Sequence, residues 1–288
     1  MSAAGTALVT GASSGIGAAV ARALTARGYR VYGTSRRPGS VTDPVPGVEY
    51  LALDLTDPAS VRACAAAAGP VDVLVNNAGE SQSGPLEELP EEALERLFRL
   101  NVLGAVRLTQ LVLPGMRARR GGRIVMVGSM LASFPLAYRS SYVASKAALK
   151  GFATALRREV APYGIGVATV EPGAISTGIS ARRTGYLAEG SPYREEYEAM
   201  LAALDANEAR GVPAERVAAT VLRAVEAARP RPLYAVGSGA PLVFALRRLL
   251  PRATVERMTA RRHGLRPVAG PVPATRPGGR AGGPPGRG

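Results

Sequence analysis

Short apolar runs alternate with longer helical patterns along most of this chain, and that alternation constrains the fold more than any other feature. The runs fall at 6–10, 30–35, 48–53, 71–76, 123–128, 166–171 and 233–236. Several are Val- and Leu-rich almost throughout, as parallel strands covered by helices on both faces must be. Helical spacing occupies 15–27, 58–67, 90–119, 141–163 and 213–228. This order predicts α/β architecture: a single doubly wound, Rossmann-type parallel sheet with helices on both faces. One domain is expected over 1–266. Within it, 174–210 interrupts the alternation and carries Tyr186, Tyr193 and Tyr197; it reads as a helical substrate lid. Its rear half has helical spacing, and 241–263 reads as a C-terminal helix pair. The Pro/Gly/Arg-rich stretch 267–288 is expected to be a disordered tail.

Composition narrows the chemistry. Cys64 is the only cysteine and His263 the only histidine, so a disulfide, a Cys-based metal site and a mid-chain Ser-His-Asp triad are all excluded. No apolar run reaches the length of a membrane span, and the N-terminus lacks a basic, then apolar, leader; a reducing cytoplasm is the expected compartment. The net charge of +14 is concentrated at the end, where 246–288 holds ten arginines against Glu256. Without interleaved aromatics or a recognisable module, that charge does not predict nucleic-acid binding.

The first run leads through Thr10-Gly11-Ala12-Ser13-Ser14-Gly15-Ile16-Gly17 straight into a helix. Glycines there let the backbone turn tightly and approach a pyrophosphate, which then sits at the positive end of the helix dipole. A Gly-rich loop alone is a tight turn. As the first turn of a βαβ unit it is the expected dinucleotide site, with Gly11, Ser13, Ser14, Gly15, Ile16 and Gly17 as its binding residues.

An NAD-type site would place Asp or Glu at the end of the second strand, on the ribose 2′-hydroxyl. This strand ends Gly33-Thr34-Ser35-Arg36-Arg37, without an acid. Arg36 and Arg37 are therefore expected to meet a 2′-phosphate, which selects NADP(H). The plainer alternative is that they are solvated arginines in an Arg-heavy chain.

Tyr142 and Lys146 lie one helical turn apart on one face. An ammonium that close to a phenol favours the phenolate, which makes Tyr142 a usable general acid or base. Ser129, at the end of the preceding strand, can hydrogen-bond a substrate carbonyl. Such a pair also arises by chance in helices, but Lys146 and Lys150 are the only lysines in the chain. An Arg-biased sequence has kept the compact ammonium at this position, where a guanidinium fork would not fit.

With these motifs in order, the chain resembles the short-chain dehydrogenase/reductase family over about residues 5–265, and more loosely its hydroxysteroid and retinol dehydrogenase branch. The resemblance rests on the loop at Thr10–Gly17, Asp54 after the third strand, Asn76-Asn77-Ala78-Gly79 after the fourth, Asn101, Ser129, the Tyr142/Lys146 pair, and Pro172-Gly173 with Thr177. It implies that Tyr142 protonates the carbonyl oxygen and that Lys146 assists it while holding the nicotinamide ribose. Ser129 would steady the substrate oxygen, and Asn101 would hold a water linked to Lys146. Asp54 and Leu55 would bind adenine, Asn77, Ala78 and Gly79 the adenine ribose, and Gly173, Ile175 and Thr177 the nicotinamide end. The chain departs from some NADP-using members of the family by having Ser14 where they carry a basic residue.

The leading reading is thus an NADPH-dependent reductase of a ketone or aldehyde on a small apolar substrate. Alcohol oxidation or non-redox chemistry on the same fold is the second, and a catalytically silent NADP-binding regulator the third. Self-association is left open. Among the remaining residues, Cys64 reads as a buried apolar side chain, His263 as a surface residue, and Asp72 and Glu171 as solvated or paired acids. The substrate walls are expected from 131–139 and 174–210, without a charged anchor.

Overall fold

The computed structural model describes residues 4–176, 178, 182–240 and 242–266. Seven parallel strands form the central sheet: β1 (Thr6–Val9), β2 (Arg30–Ser35), β3 (Val48–Ala52), β4 (Val73–Asn76), β5 (Gly122–Val127), β6 (Ile165–Pro172) and β7 (Leu233–Val236). Their spatial order is β7-β6-β5-β4-β1-β2-β3, so the winding reverses between β1 and β4. A crevice opens at such a reversal, at the carboxyl ends of the strands.

Strand alternation sorts the core into two layers. Ala7, Val9, Val73, Val75, Val125 and Val127 face helices α1 (Gly15–Ala26) and α7 (Ala214–Glu226). Leu8, Leu74, Ile124 and Met126 face the opposite layer, built by α2 (Pro58–Ala68), α4 (Ala105–Ala118) and α5 (Ser140–Val160). Cys64 is buried in this second layer, and burial pushes its thiol up to about 11. Asp57 caps α2, its carboxylate accepting from the Ala59 and Ser60 amides.

The helical spacing over 90–119 resolves into α3 (Glu91–Phe98) and α4 joined by a π-helical turn, Arg99–Gly104. The segment expected as a lid is tied to the frame at two places. Thr184–Gly185 pairs in parallel with Gln82–Ser83, and Ile175–Ser176 with Val212–Pro213. Between them, α6 (Arg194–Ala209) packs Tyr197, Met200 and Leu204 against Leu136 and Leu265. Two further helices, α8 (Leu242–Leu249) and α9 (Arg252–Arg262), follow the last strand. The expected tail lies outside the described residues. Among the described residues no helix is long and apolar enough to cross a membrane.

Candidate active site

A cavity of about 760 Å³ runs from the glycine loop, along the carboxyl edge of the sheet, to the C-terminal helices. That volume suits a cofactor together with a substrate group. At its near end lie Gly11, Ser13, Ser14, Gly15 and Ile16. Gly17 stands behind them, where a Cβ would meet the Gly11 carbonyl oxygen at 2.0 Å. Its role is to let α1 close onto the first strand rather than to touch a ligand. Thr10 braces the loop from beneath, its hydroxyl oxygen accepting from the Asn77 and Ala78 amides at 2.9 Å each.

Thr34, Ser35 and Arg36 border the cavity beyond β2, with Asp54 and Leu55 across from them. Hydrogen bonds from the Thr56 hydroxyl and amide hold the Asp54 carboxyl below the usual carboxylate range. Arg37 is exposed and stays out of this lining, because the chain turns away into the short helix Pro38–Ser40. Arg182, from the segment expected as the lid, donates to the Ser14 hydroxyl at 2.9 Å and lines the same cavity. A guanidinium thus reaches, from far along the chain, the loop position that carries no basic residue of its own. Gly173 and Ile175, at the end of β6 and just beyond it, also line the cavity; Thr177 lies outside the described residues.

Tyr142 and Lys146 project from the first turns of α5 into the middle of the cavity, and both are buried. The Lys146 ammonium lies 5.9 Å from the Tyr142 ring centre and donates to the Val127 carbonyl at 3.1 Å. Gly79 presses close, since a Cβ there would stand 3.2 Å from both the Lys146 Nζ and the Asn101 Oδ1. Asn101, carried by the π turn, clamps this corner. Its Oδ1 accepts from the Glu80 amide at 2.8 Å, and its Nδ2 donates to the Glu80 carbonyl at 3.0 Å and the Ser145 hydroxyl at 3.1 Å. A π turn widens the helix by one residue and is found mostly at functional positions. Ser129 caps the short turn Met130–Ala132, its hydroxyl oxygen accepting from the Leu131 amide at 3.2 Å.

The second lysine has a different task. Lys150 donates to the Ser133 hydroxyl at 2.6 Å, and its ammonium sits 2.8 Å from Glu171 Oε1, off the hydrogen-bonding direction. Ser133 donates in turn to Glu171 Oε2 at 2.7 Å. Glu171 is fully buried, so the paired reading of this acid holds.

The substrate end departs from the sequence reading in three ways. Met130, Leu131 and Phe134 form one apolar wall as expected, but the facing wall comes largely from α8 and α9 through Val243, Leu246, Leu250, Val255 and Met258. His263 is buried and lines the cavity rather than the surface, with its Nδ1 2.8 Å from the Thr259 carbonyl. A charged side chain does stand beside the reacting groups: Arg139, 3% exposed, with its guanidinium 4.6 Å from the Tyr142 ring centre. Its place three residues before Tyr142, at the N-cap of α5, was the signal available in the sequence.

A dinucleotide crevice with a buried Tyr–Lys pair at its centre defines an NAD(P)-dependent oxidoreductase. A family model described as short chain dehydrogenase matches residues 5–185, and the chain belongs to that family. The 3-ketodihydrosphingosine reductase of Bacteroides thetaiotaomicron is 34% identical over 245 residues, covering 83% of this chain and 89% of that protein. The crystal structure of a short-chain dehydrogenase from Streptomyces avermitilis superposes with a TM-score of 0.77 at 36% identity, covering 91% of this chain and 99% of the other. A short chain dehydrogenase from Burkholderia cenocepacia J2315, solved in complex with NADP, gives 0.72 at 27% identity over 89% and 98% of the two chains.

Proposed function

We propose that the protein reduces a ketone or aldehyde carbonyl on an apolar substrate, with NADPH as the hydride source. The observation that carries the reading is Tyr142, buried at the cavity with the Lys146 ammonium beside it and Ser129 across the lining. NADPH supplies a hydride to the carbonyl carbon. The residues of the chain handle the oxygen: Ser129 donates a hydrogen bond that orients it, and the Tyr142 hydroxyl gives it the proton as negative charge develops. Lys146 favours loss of that proton and is placed to hold the ribose hydroxyls of the cofactor. With the Asn101 side chain engaged by Glu80 and Ser145, any water linking Lys146 to solvent rests on the backbone of the π turn.

Preference for the 2′-phosphate is supported by the acid-free end of β2, by Arg36 at the cavity and by Arg182 beside Ser14. The Burkholderia structure with NADP points the same way, and the ketone-reducing name of the Bacteroides relative supports the reductase reading. The walls made by Phe134, Leu246 and Leu250 suit an apolar chain next to the reacting carbonyl. The test is a panel of aliphatic ketones, aldehydes and 3-keto thioesters, followed by NADPH absorbance beside NADH. Tyr142→Phe keeps the ring and removes the proton. It should lower turnover about 10²-fold or more while leaving NADPH binding intact. Turnover by this variant near the wild-type rate would remove Tyr142 as the acid.

A further inference from the structure

Arg139 is a buried cation whose hydrogen bonds are mostly unmade. Its Nη2 donates to the Ser81 hydroxyl at 2.9 Å, while Nε and Nη1 are buried and meet no acceptor among the described residues. Among the described residues it forms no ion pair; Glu208, the acid of α6 that faces it, is engaged by Arg183 at 3.1 Å. An arginine that merely ties two loops together fills its fork with carbonyls or carboxylates. This one spends the fork on an aromatic ring: the guanidinium carbon stands 4.6 Å from the centre of Tyr142. Lys146 approaches the same ring at 5.9 Å, so Tyr142 carries two buried cations.

We infer that Arg139 is a positioning residue for Tyr142: anchored by Ser81, it holds the ring towards the cavity and keeps a positive charge beside the oxygen that becomes negative as the proton leaves. The inference rests on the reading of Tyr142 as the proton donor. Burying an unpaired cation is costly, and a neutral side chain of similar shape would fill the space without that cost. Burial pulls the guanidinium's pKa down, yet an arginine keeps its charge through the range in which tyrosine titrates. The other charged or titratable groups facing it are Lys146 on α5, Arg183 in the 182–185 segment, Glu208 and Tyr197 on α6, and His263 beyond α9. Lys146 has a second duty towards the cofactor ribose. Arg139 has none, so its field on the phenol persists whether or not the cofactor is bound.

The experiment needs no substrate. Tyrosinate absorbance of the full chain is titrated with pH, and subtracting the Tyr142→Phe trace isolates the ionisation of Tyr142. The subtraction is repeated in the Arg139→Gln background, with circular dichroism recorded alongside. Removing the charge should raise the midpoint by about one pH unit. Ser81→Ala, which frees the guanidinium from its anchor but leaves its charge, is the second variant and should raise the midpoint by a smaller step. A midpoint unmoved in both Arg139→Gln and Ser81→Ala, or one that moves only together with loss of the circular dichroism of the folded chain, would overturn the inference. Failure of the reductase reading shows separately, as absence of NADPH oxidation across the carbonyl panel.

Discussion

Replacing Lys150 with methionine removes the cation beside Glu171 and, among the described residues, leaves that carboxylate with a single donor, the Ser133 hydroxyl. Glu171 is fully buried, whereas the Lys150 side chain is 29% exposed, so water can follow the lost ammonium only part of the way. Breaking a buried pair by deleting one partner costs about 3–5 kcal/mol. The partial exposure places this case at the low end, about 3 kcal/mol, which for a domain of this size lowers Tm by roughly 6–12 °C. Urea titration and thermal melting of the variant measure it. The cause is separated by a second change: Lys150→Met with Glu171→Leu removes both charges and should recover most of the loss. Turnover, measured well below the melting temperature, should stay within severalfold of wild type, because Lys150 supports the turn after Ser129 without facing the cofactor. A loss below about 1 kcal/mol, or a double variant no more stable than the single one, would refute the reasoning.

Three further outcomes are expected. Arg36→Ala should weaken NADPH binding by about tenfold to a hundredfold while leaving NADH nearly unchanged; equal losses for both cofactors would make Arg36 structural. Burial holds the His263 imidazole below its ordinary value of 6.5, so its contribution to stability is present in full above that pH and is lost as pH falls through the lower folded value. Denaturation at pH 7.5 and 5.5 should show a smaller difference for His263→Asn than for wild type, and an unchanged difference would exclude it. Finally, hydrogen exchange across 182–209 should slow when NADPH is added if this segment orders over the cofactor; slow exchange already present without NADPH, and unaltered by it, would make it a fixed wall.

The sheet was legible because its strands are apolar at nearly every position while their helices are apolar on one side, and the two patterns do not resemble each other. The Tyr142/Lys146 pair was legible because helical spacing alone brings the two together. Arg182 was not: its contact with Ser14 closes across more than half the chain, and no local pattern encodes that approach. His263 reads as surface from its basic neighbours, yet at the C-cap of α9 its ring turns inwards onto the cavity. The break in 90–119 left no trace in the apolar periodicity, since a single widened turn absorbs only one residue and Leu97 and Leu108 are buried on either side of it.

That widened turn ties the length of this stretch to the site rather than to the core. Leu103, half exposed in its middle, can be exchanged for a polar residue with little consequence, whereas a Cβ on Gly104 would stand 2.3 Å from the Leu55 carbonyl oxygen. Deleting one residue of Arg99–Gly104 would restore the ordinary helical repeat, and because the π turn spreads its rotation over one extra residue, Leu108, Val112 and Met116 would keep their place against the sheet. The loss would fall on the Asn101 amide, which would leave Glu80 and Ser145. A shortened chain would therefore keep its fold while losing this corner of the cavity.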